Sequence, residues 1–221
     1  MKLLDNIYVY LWDGQGNNSN TFLVAGEVPV LVDPGHVVNE MGEPCHERLL
    51  QSLAEDGFKP DDIGLIVNTH THPDHCEANR MFQHGGKVKI AFHEEEERDM
   101  PAFFRAGDPG FQADFYLDEG DLKLGRKQQT TFRVFHTPGH SRGSICLYLP
   151  QSKALITGDL IFALSIGRTD IPGGDFAALT KSVRRMSELD VECLLPGHMD
   201  IVQGKQNVER NFRYIDQAFF G

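Results

Sequence analysis

The chain has 221 residues and carries 21 Lys and Arg against 32 Asp and Glu, a formal charge of −11. Residues 1–221 suit a single domain with a good core, and the acidic balance repels phosphate backbones, so nucleic acid is not an expected partner. No apolar run is long enough for a signal peptide or a membrane span, and Cys45, Cys76, Cys146 and Cys193 are scattered without a Cys-x-x-Cys, so reduced thiols, no membrane partner and a cytoplasmic location are expected.

In chain order, Ile7–Leu11, Thr21–Val24 and Val28–Val32 read as strands, with Gly14 and Gly16 as turn material between the first two. His46–Asp56 carries Leu49, Leu50 and Leu53 at helical spacing, and Gly57 follows as a stop. Ile63–Val67 is a strand ending just before a histidine cluster. A helix over about Asp74–Gln83 and a strand over Val88–Phe92 follow. Thr131–His136, Ser144–Leu149, Ala154–Thr157 and Cys193–Leu195 complete the strands. Phe176–Leu189 reads as a helix capped by Asp175, and Val208–Phe220 as a last helix with an aromatic face. Strand-rich blocks alternating with helices predict a layered α/β fold. The opening strands are too close together for the crossovers of a doubly wound parallel sheet.

Five histidines and two aspartates stand out: His70, His72, Asp74 and His75 within His70-Thr71-His72-Pro73-Asp74-His75, then His140, Asp159 and His198. Each group follows a predicted strand, the last three through Thr137-Pro138-Gly139, Gly158 and Pro196-Gly197. Strand ends are rigid, and Gly/Pro turns can aim side chains at a common point. In an extended segment residues two apart face one side, so His70 and His72 can bind one ion together. Pro73 suits a first helical turn, from which Asp74 and His75 point toward a second ion. Asp159, with two oxygens to share, could bridge. Imidazole and carboxylate suit borderline metals such as zinc or iron, and paired metals point to hydrolysis.

These motifs, together with Val32-Asp33-Pro34-Gly35, resemble the metallo-β-lactamase fold superfamily over about residues 7–200. The resemblance implies a four-layer αββα sandwich of two mixed β-sheets flanked by helices, with a dinuclear site along one edge of the sheets. By that resemblance His70, His72 and His140 hold one metal, Asp74, His75 and His198 hold the other, and Asp159 bridges them. The run Gly158-Asp159-Leu160-Ile161-Phe162 and the stretch Ile166–Asp175 are similar to the glyoxalase II-like (hydroxyacylglutathione hydrolase-like) branch and its sulfur dioxygenase relatives. Cys76-Glu77 stands where small residues commonly follow the motif, and 221 − 198 = 23 residues follow His198, fewer than the glutathione-gripping helical domain of full-length glyoxalase II.

The expected activity is hydrolysis of a small ester or thioester by metal-activated water, with two divalent ions, zinc first and iron as the alternative, and Asp74 as ligand and catalytic orienting group. Asp33 is expected to fix a histidine ring, with a turn residue as its plain alternative. Arg168 is a candidate for gripping a substrate carboxylate, against an ion pair with Asp170 or Asp175. The aromatic stretch Pro101–Tyr116 reads as a lid or pocket lining, against local packing or a homodimer contact. Glu94–Glu97 reads as a solvated helix start, Cys76 as buried beneath the site, and His36, His46, His84, His93 and His136 as ordinary surface or core residues. Two rival functions stand: an iron-dependent sulfur (persulfide) dioxygenase using His72, His140 and Asp159, and a non-catalytic metal-binding module.

Overall fold

The computed structural model describes residues 1–83, 87–104 and 107–221. Among them, strands β1 (Lys2–Leu4), β2 (Ile7–Tyr10), β3 (Thr21–Val24), β4 (Val30–Val32), β5 (Leu65–Val67), β6 (Lys89–Phe92) and β7 (Phe115–Tyr116) lie side by side in chain order. Pairing is antiparallel from β1 to β4 and parallel from β4 to β7. The second sheet contains β8 (Gly120–Leu124), β9 (Thr130–His136), β10 (Ile145–Leu149) and β11 (Ala154–Gly158). A small hairpin, β12 (Ile161–Phe162) and β13 (Ser165–Ile166), intervenes before β14 (Cys193–Pro196) and β15 (Val202–Gln203), and the spatial order of the sheet is β15-β14-β11-β10-β9-β8. Only the β11–β14 pair in it is parallel.

The helices are α1 (Cys45–Glu55), α2 (Pro73–Cys76), α3 (Asn79–Phe82), α4 (Glu96–Asp99), α5 (Phe176–Met186) and α6 (Lys205–Ile215). The two-residue period of the strands sorts the apolar side chains into layers. Val30 and Val32 face the other sheet, where Phe22, Val24 and Val67 meet Phe132, Val134 and Leu147. Leu31, between them, faces outward with Ile66 under Leu49 and Leu53 of α1. On the far side Tyr148 and Leu194 lie under Leu179 and Val183 of α5 and Val208 and Phe212 of α6. This is the expected αββα sandwich of two mixed sheets with flanking helices. No helix among the described residues is long and apolar enough to cross a membrane.

Three details differ from the sequence expectation. The helix predicted over Asp74–Gln83 is two short pieces, α2 and α3, because the Ala78 N–H donates to the carbonyl of Gly35 (2.8 Å) and the Gly35 N–H to the carbonyl of His75 (3.1 Å). The last helix begins at Lys205 and ends in a π-helical turn, Asp216–Phe220. Strands β1, β7, β8, β12, β13 and β15 went unpredicted: five of them are only two or three residues long, and the five-residue strand β8 is an edge strand with only Leu122 and Leu124 turned to the core. Gly57 does stop α1, at a φ of +86° that a side chain would strain. Asp175 caps α5 by accepting from the Ala178 N–H (2.9 Å).

Candidate metal centre

Strands β4, β5, β9, β11 and β14 deliver their following loops to one edge of the sandwich, and all seven sequence candidates meet there. They form three overlapping groups, His70/His72/His140, His70/His75/Asp159 and Asp74/His75/His198, in each of which one ligand atom per residue lies within 4.8 Å of the others. His72 Nδ1 and His140 Nε2 are 2.8 Å apart. His75 Nε2 and His198 Nε2 are 3.2 Å apart. Asp159 sits between the two halves: Oδ1 is 3.2 Å from His75 Nε2 and 3.5 Å from His198 Nε2, while Oδ2 is 3.5 Å from His140 Nε2. Asp74 Oδ2 is 3.2 Å from His198 Nε2.

Surrounding groups decide which ring nitrogens carry protons. His75 Nδ1–H donates to Asp33 Oδ2 (3.0 Å), and His140 Nδ1–H donates to the carbonyl of Arg168 (2.8 Å). In the neutral rings this leaves both Nε2 atoms as bare lone pairs aimed inward. His70 Nε2 and Asp159 Oδ1 are buried without a hydrogen-bond partner. Buried polar atoms are otherwise almost always satisfied, so a cluster of acceptors facing acceptors fits a cation. A tetrahedral ion with bonds of about 2.0–2.1 Å spaces its ligand atoms about 3.3 Å apart, near the 2.8–3.5 Å separations found here.

The electrostatics point the same way. Burial, reinforced by the neighbouring imidazoles, depresses His70 well below the usual histidine range and His72 to about 3. Burial by itself would raise Asp74 and Asp159; the imidazoles of His75 and His198 outweigh it and hold both carboxyls well below their ordinary values. Burial would likewise lower His75 and His198, yet Asp159 and Asp74 pull both upward. An anionic pocket that draws protons onto its histidines draws divalent cations equally.

Tight backbone packing shapes the pocket. A Cβ on Gly197 would lie 2.5 Å from Asp159 Oδ1 and 2.7 Å from His75 Cε1, so only glycine lets this loop approach. Asp33, fully buried and held at a φ of +52°, accepts from the Thr69 N–H (2.8 Å) and Oγ1–H (2.6 Å) as well as from His75. Arg168 contributes its carbonyl to His140; its guanidinium is 71% exposed and paired with Asp170. Cys76 is buried and does not join the ligand groups, and the four cysteines are free.

The aromatic stretch divides. The Phe103 ring packs 4.3 Å from that of His72, walling that side of the site. Phe111 packs into the core on the outer face of the first sheet, and Phe115 and Tyr116 lie exposed in β7. Arg105 and Ala106 of this stretch, and His84, lie outside the described residues. Of the other histidines, His36 pairs with Glu77 (2.9 Å), His46 is buried against Phe82, and His93 stacks on His136 at 4.0 Å.

One expectation is overturned. Glu94, Glu95 and Glu97 are exposed, but Glu96 is buried. It lies four residues past β6, at the same edge as every ligand loop, and that position was the available signal. Asn17 and Asn20 were also missed: Asn17 Nδ2–H donates to Asp74 Oδ2 (2.8 Å), and Asn20 Nδ2–H donates to the carbonyls of Pro196 (3.0 Å) and Met199 (2.8 Å) on either side of His198. Nothing local signalled them, since their partners lie 57 to 179 residues away in the chain.

Residues 14–198 match the family model described as Metallo-beta-lactamase superfamily. The chain is 31% identical over 202 residues to a probable metallo-hydrolase of Methanocaldococcus jannaschii, covering 86% of this chain and 91% of that one. It is similar at 31% over 206 residues to a hydroxyacylglutathione hydrolase of Haemophilus influenzae (87% and 80% covered) and at 30% over 237 residues to an acyl-coenzyme A thioesterase of Gallus gallus (92% and 80%). A crystal structure of a protein in a di-iron-bound form, 30% identical, matches with a TM-score of 0.70 over 88% of this chain and 94% of that one.

Proposed function

Since the chain belongs to the metallo-beta-lactamase superfamily, we propose that it is a dinuclear metal-dependent hydrolase of a small acyl thioester. The observation that carries this reading is the division of seven converging side chains into two sets of three with Asp159 between them. His70, His72 and His140 would hold one divalent cation, Asp74, His75 and His198 the other, and Asp159 would be shared. Cations bound there supply acidified water at neutral pH and polarisation of a substrate carbonyl.

The chain's own groups do the positioning. Arg168 carbonyl and Asp33 fix the His140 and His75 rings through Nδ1, leaving Nε2 for coordination. Asn17 holds Asp74 by Oδ2, so the carboxylate is set to ligate and to orient the attacking water. Phe103 excludes solvent beside His72. A thiolate departs with little need of a proton, so no separate general acid is required. The thioester bond is the one that hydroxyacylglutathione and acyl-coenzyme A have in common, and relatives named for acting on each match this chain at similar identity. Four free, buried cysteines accord with a cytoplasmic enzyme.

Elemental analysis of protein purified without added metal, followed by assay against hydroxyacylglutathione and acyl-coenzyme A thioesters, tests the reading. Two equivalents of zinc or iron are expected, with turnover abolished by chelation and by His72→Ala together with loss of metal. Oxygen uptake with a persulfide in place of thioester turnover would move the enzyme to the dioxygenase class, and two bound ions without turnover of any thioester would make it a binding module.

A further inference from the structure

Two buried carboxylates each take the N–H and hydroxyl of one of the two threonines that flank His70. Asp33 takes the N–H and Oγ1–H of Thr69. Glu96 takes the N–H of Thr71 (2.6 Å) and its Oγ1–H (2.8 Å), both on Oε2. The remaining contacts differ. Asp33 turns to His75, in the second half of the site. Glu96 Oε1 accepts from Ser141 Oγ (2.5 Å) and from the Gly143 N–H (2.9 Å). Glu96, Thr71 and Ser141 are 4%, 1% and 3% exposed.

Thr71 lies between His70 and His72, and Ser141 directly follows His140. One carboxylate at the start of α4 therefore ties together the backbone beside all three residues of the first half. None of its hydrogen bonds reaches a neighbour of His198. That part of the site is held instead by Asn17 on Asp74 and by Asn20 on the carbonyls around His198.

Resting on the dinuclear reading above, we infer that Glu96 is the positioning residue of the His70/His72/His140 half, whereas Asp33 serves both halves, through His75 Nδ1 and through Thr69 Oγ1, which lies 3.2 Å from His70 Nδ1. Glu96 touches neither the ligand nitrogens nor the reacting atoms; it sets the distance between the β5 and β9 loops. Gln at 96 keeps the shape but replaces one acceptor with an amide NH2 that faces N–H and O–H donors.

The test is metal uptake rather than activity. Metal-free wild type, Glu96→Gln and Asp33→Asn are titrated with Co(II) by calorimetry and visible absorption, with His140→Ala and His198→Ala as references for each half. Glu96→Gln is expected to weaken one equivalent about 10–100-fold while the other stays within about threefold, giving the His140→Ala pattern. Asp33→Asn, which disturbs both His75 and the Thr69 hydroxyl beside His70, is expected to weaken both equivalents. Thr71→Val and Ser141→Ala, which each remove a single hydroxyl, are expected to shift the same equivalent as Glu96→Gln by a smaller factor, and they carry the test if Glu96→Gln fails to fold. For Glu96→Gln, equal weakening of both equivalents, no weakening of either, or a His198→Ala pattern overturns the inference. A lowered melting temperature with both equivalents intact also overturns it, since it makes Glu96 structural only. Wild type that binds fewer than two equivalents counts against the dinuclear reading instead.

Discussion

The layer between the two sheets and the edge where the strands end are built on opposite rules. Between the sheets, Phe22, Val67, Phe132 and Leu147 are apolar, closely fitted and at most 1% exposed. At the edge, His70, His75 and Asp33 are equally buried yet polar, and several acceptors point at one another. Burial stabilises the first region, since enclosing a Phe or Leu side chain contributes about 1.5–3 kcal/mol. Burial destabilises the second until something positive enters it. High burial is thus no guide to stabilisation by itself; the partners of the buried atoms decide its sign.

The largest expected effect separates the two regions directly. Phe22→Ala should cost about 3–5 kcal/mol, as a cavity between packed sheets does. His70→Ala, equally deep, should cost the metal-free protein clearly less than Phe22→Ala, because loss of the Nδ1 contact with Thr69 Oγ1 is offset by removal of an unpartnered buried Nε2. Denaturant unfolding in chelator measures both. A loss for His70→Ala comparable to that for Phe22→Ala would mean that the site is part of the core.

A smaller effect concerns pH. In the metal-free protein His70 and His72 refuse protons that the unfolded chain accepts below about 6.5, so stability falls as pH drops from there toward 3. His75 and His198 have the reverse sign. Their folded values are raised by the carboxylates, so their stabilisation is complete below 6.5 and is lost as pH climbs through the raised values. Asp74 and Asp159, lowered from 3.8, hold their contribution throughout this range and lose it only in strong acid. The melting temperature of the metal-free protein should therefore peak near pH 6.5. The loaded protein should keep its stability above that pH, because cations replace the protons on His75 and His198. Melting curves at about pH 5, 6.5 and 8, with and without chelator, measure this; a steady rise through pH 8 without metal would contradict it.

The contrast between the regions also explains what the sequence made legible. Strands such as Thr21–Val24 and Ala154–Gly158 announce themselves because both faces are covered and the residues are nearly all apolar. Edge strand β8, Gly-Asp-Leu-Lys-Leu, does not, since its pairing rather than its composition makes it a strand. The seven convergent residues were readable because histidine and aspartate after Gly/Pro turns at strand ends are chemically conspicuous. Glu96 was harder: its place just past β6 put it at the ligand edge, but within a run of four glutamates only the return of the β9 loop carrying Ser141 and Gly143 selects the buried one. Asn20 was hidden likewise, because its partners at Pro196 and Met199 are more than 170 residues away.

Arg168 gives the smallest expected effect and the sharpest division between side chain and backbone. Its position nine residues past Asp159 made the guanidinium a candidate substrate grip, yet the atom that faces the site is the carbonyl on His140 Nδ1. The guanidinium forks onto Asp170, with both partners more than 70% exposed. An exposed pair of this kind contributes about 0–1 kcal/mol. Alanine keeps the carbonyl, so Arg168→Ala should leave metal content unchanged and alter kcat/KM for a thioester by less than about fivefold, the kinetic equivalent of that energy. Arg168→Pro, which restricts the backbone carrying that carbonyl, should reduce metal retention in the His140 half. Steady-state kinetics on the alanine variant decide the point: a tenfold rise in KM at constant kcat would return the guanidinium to the substrate, and the edge would then bind through a charged side chain as well as through fixed backbone.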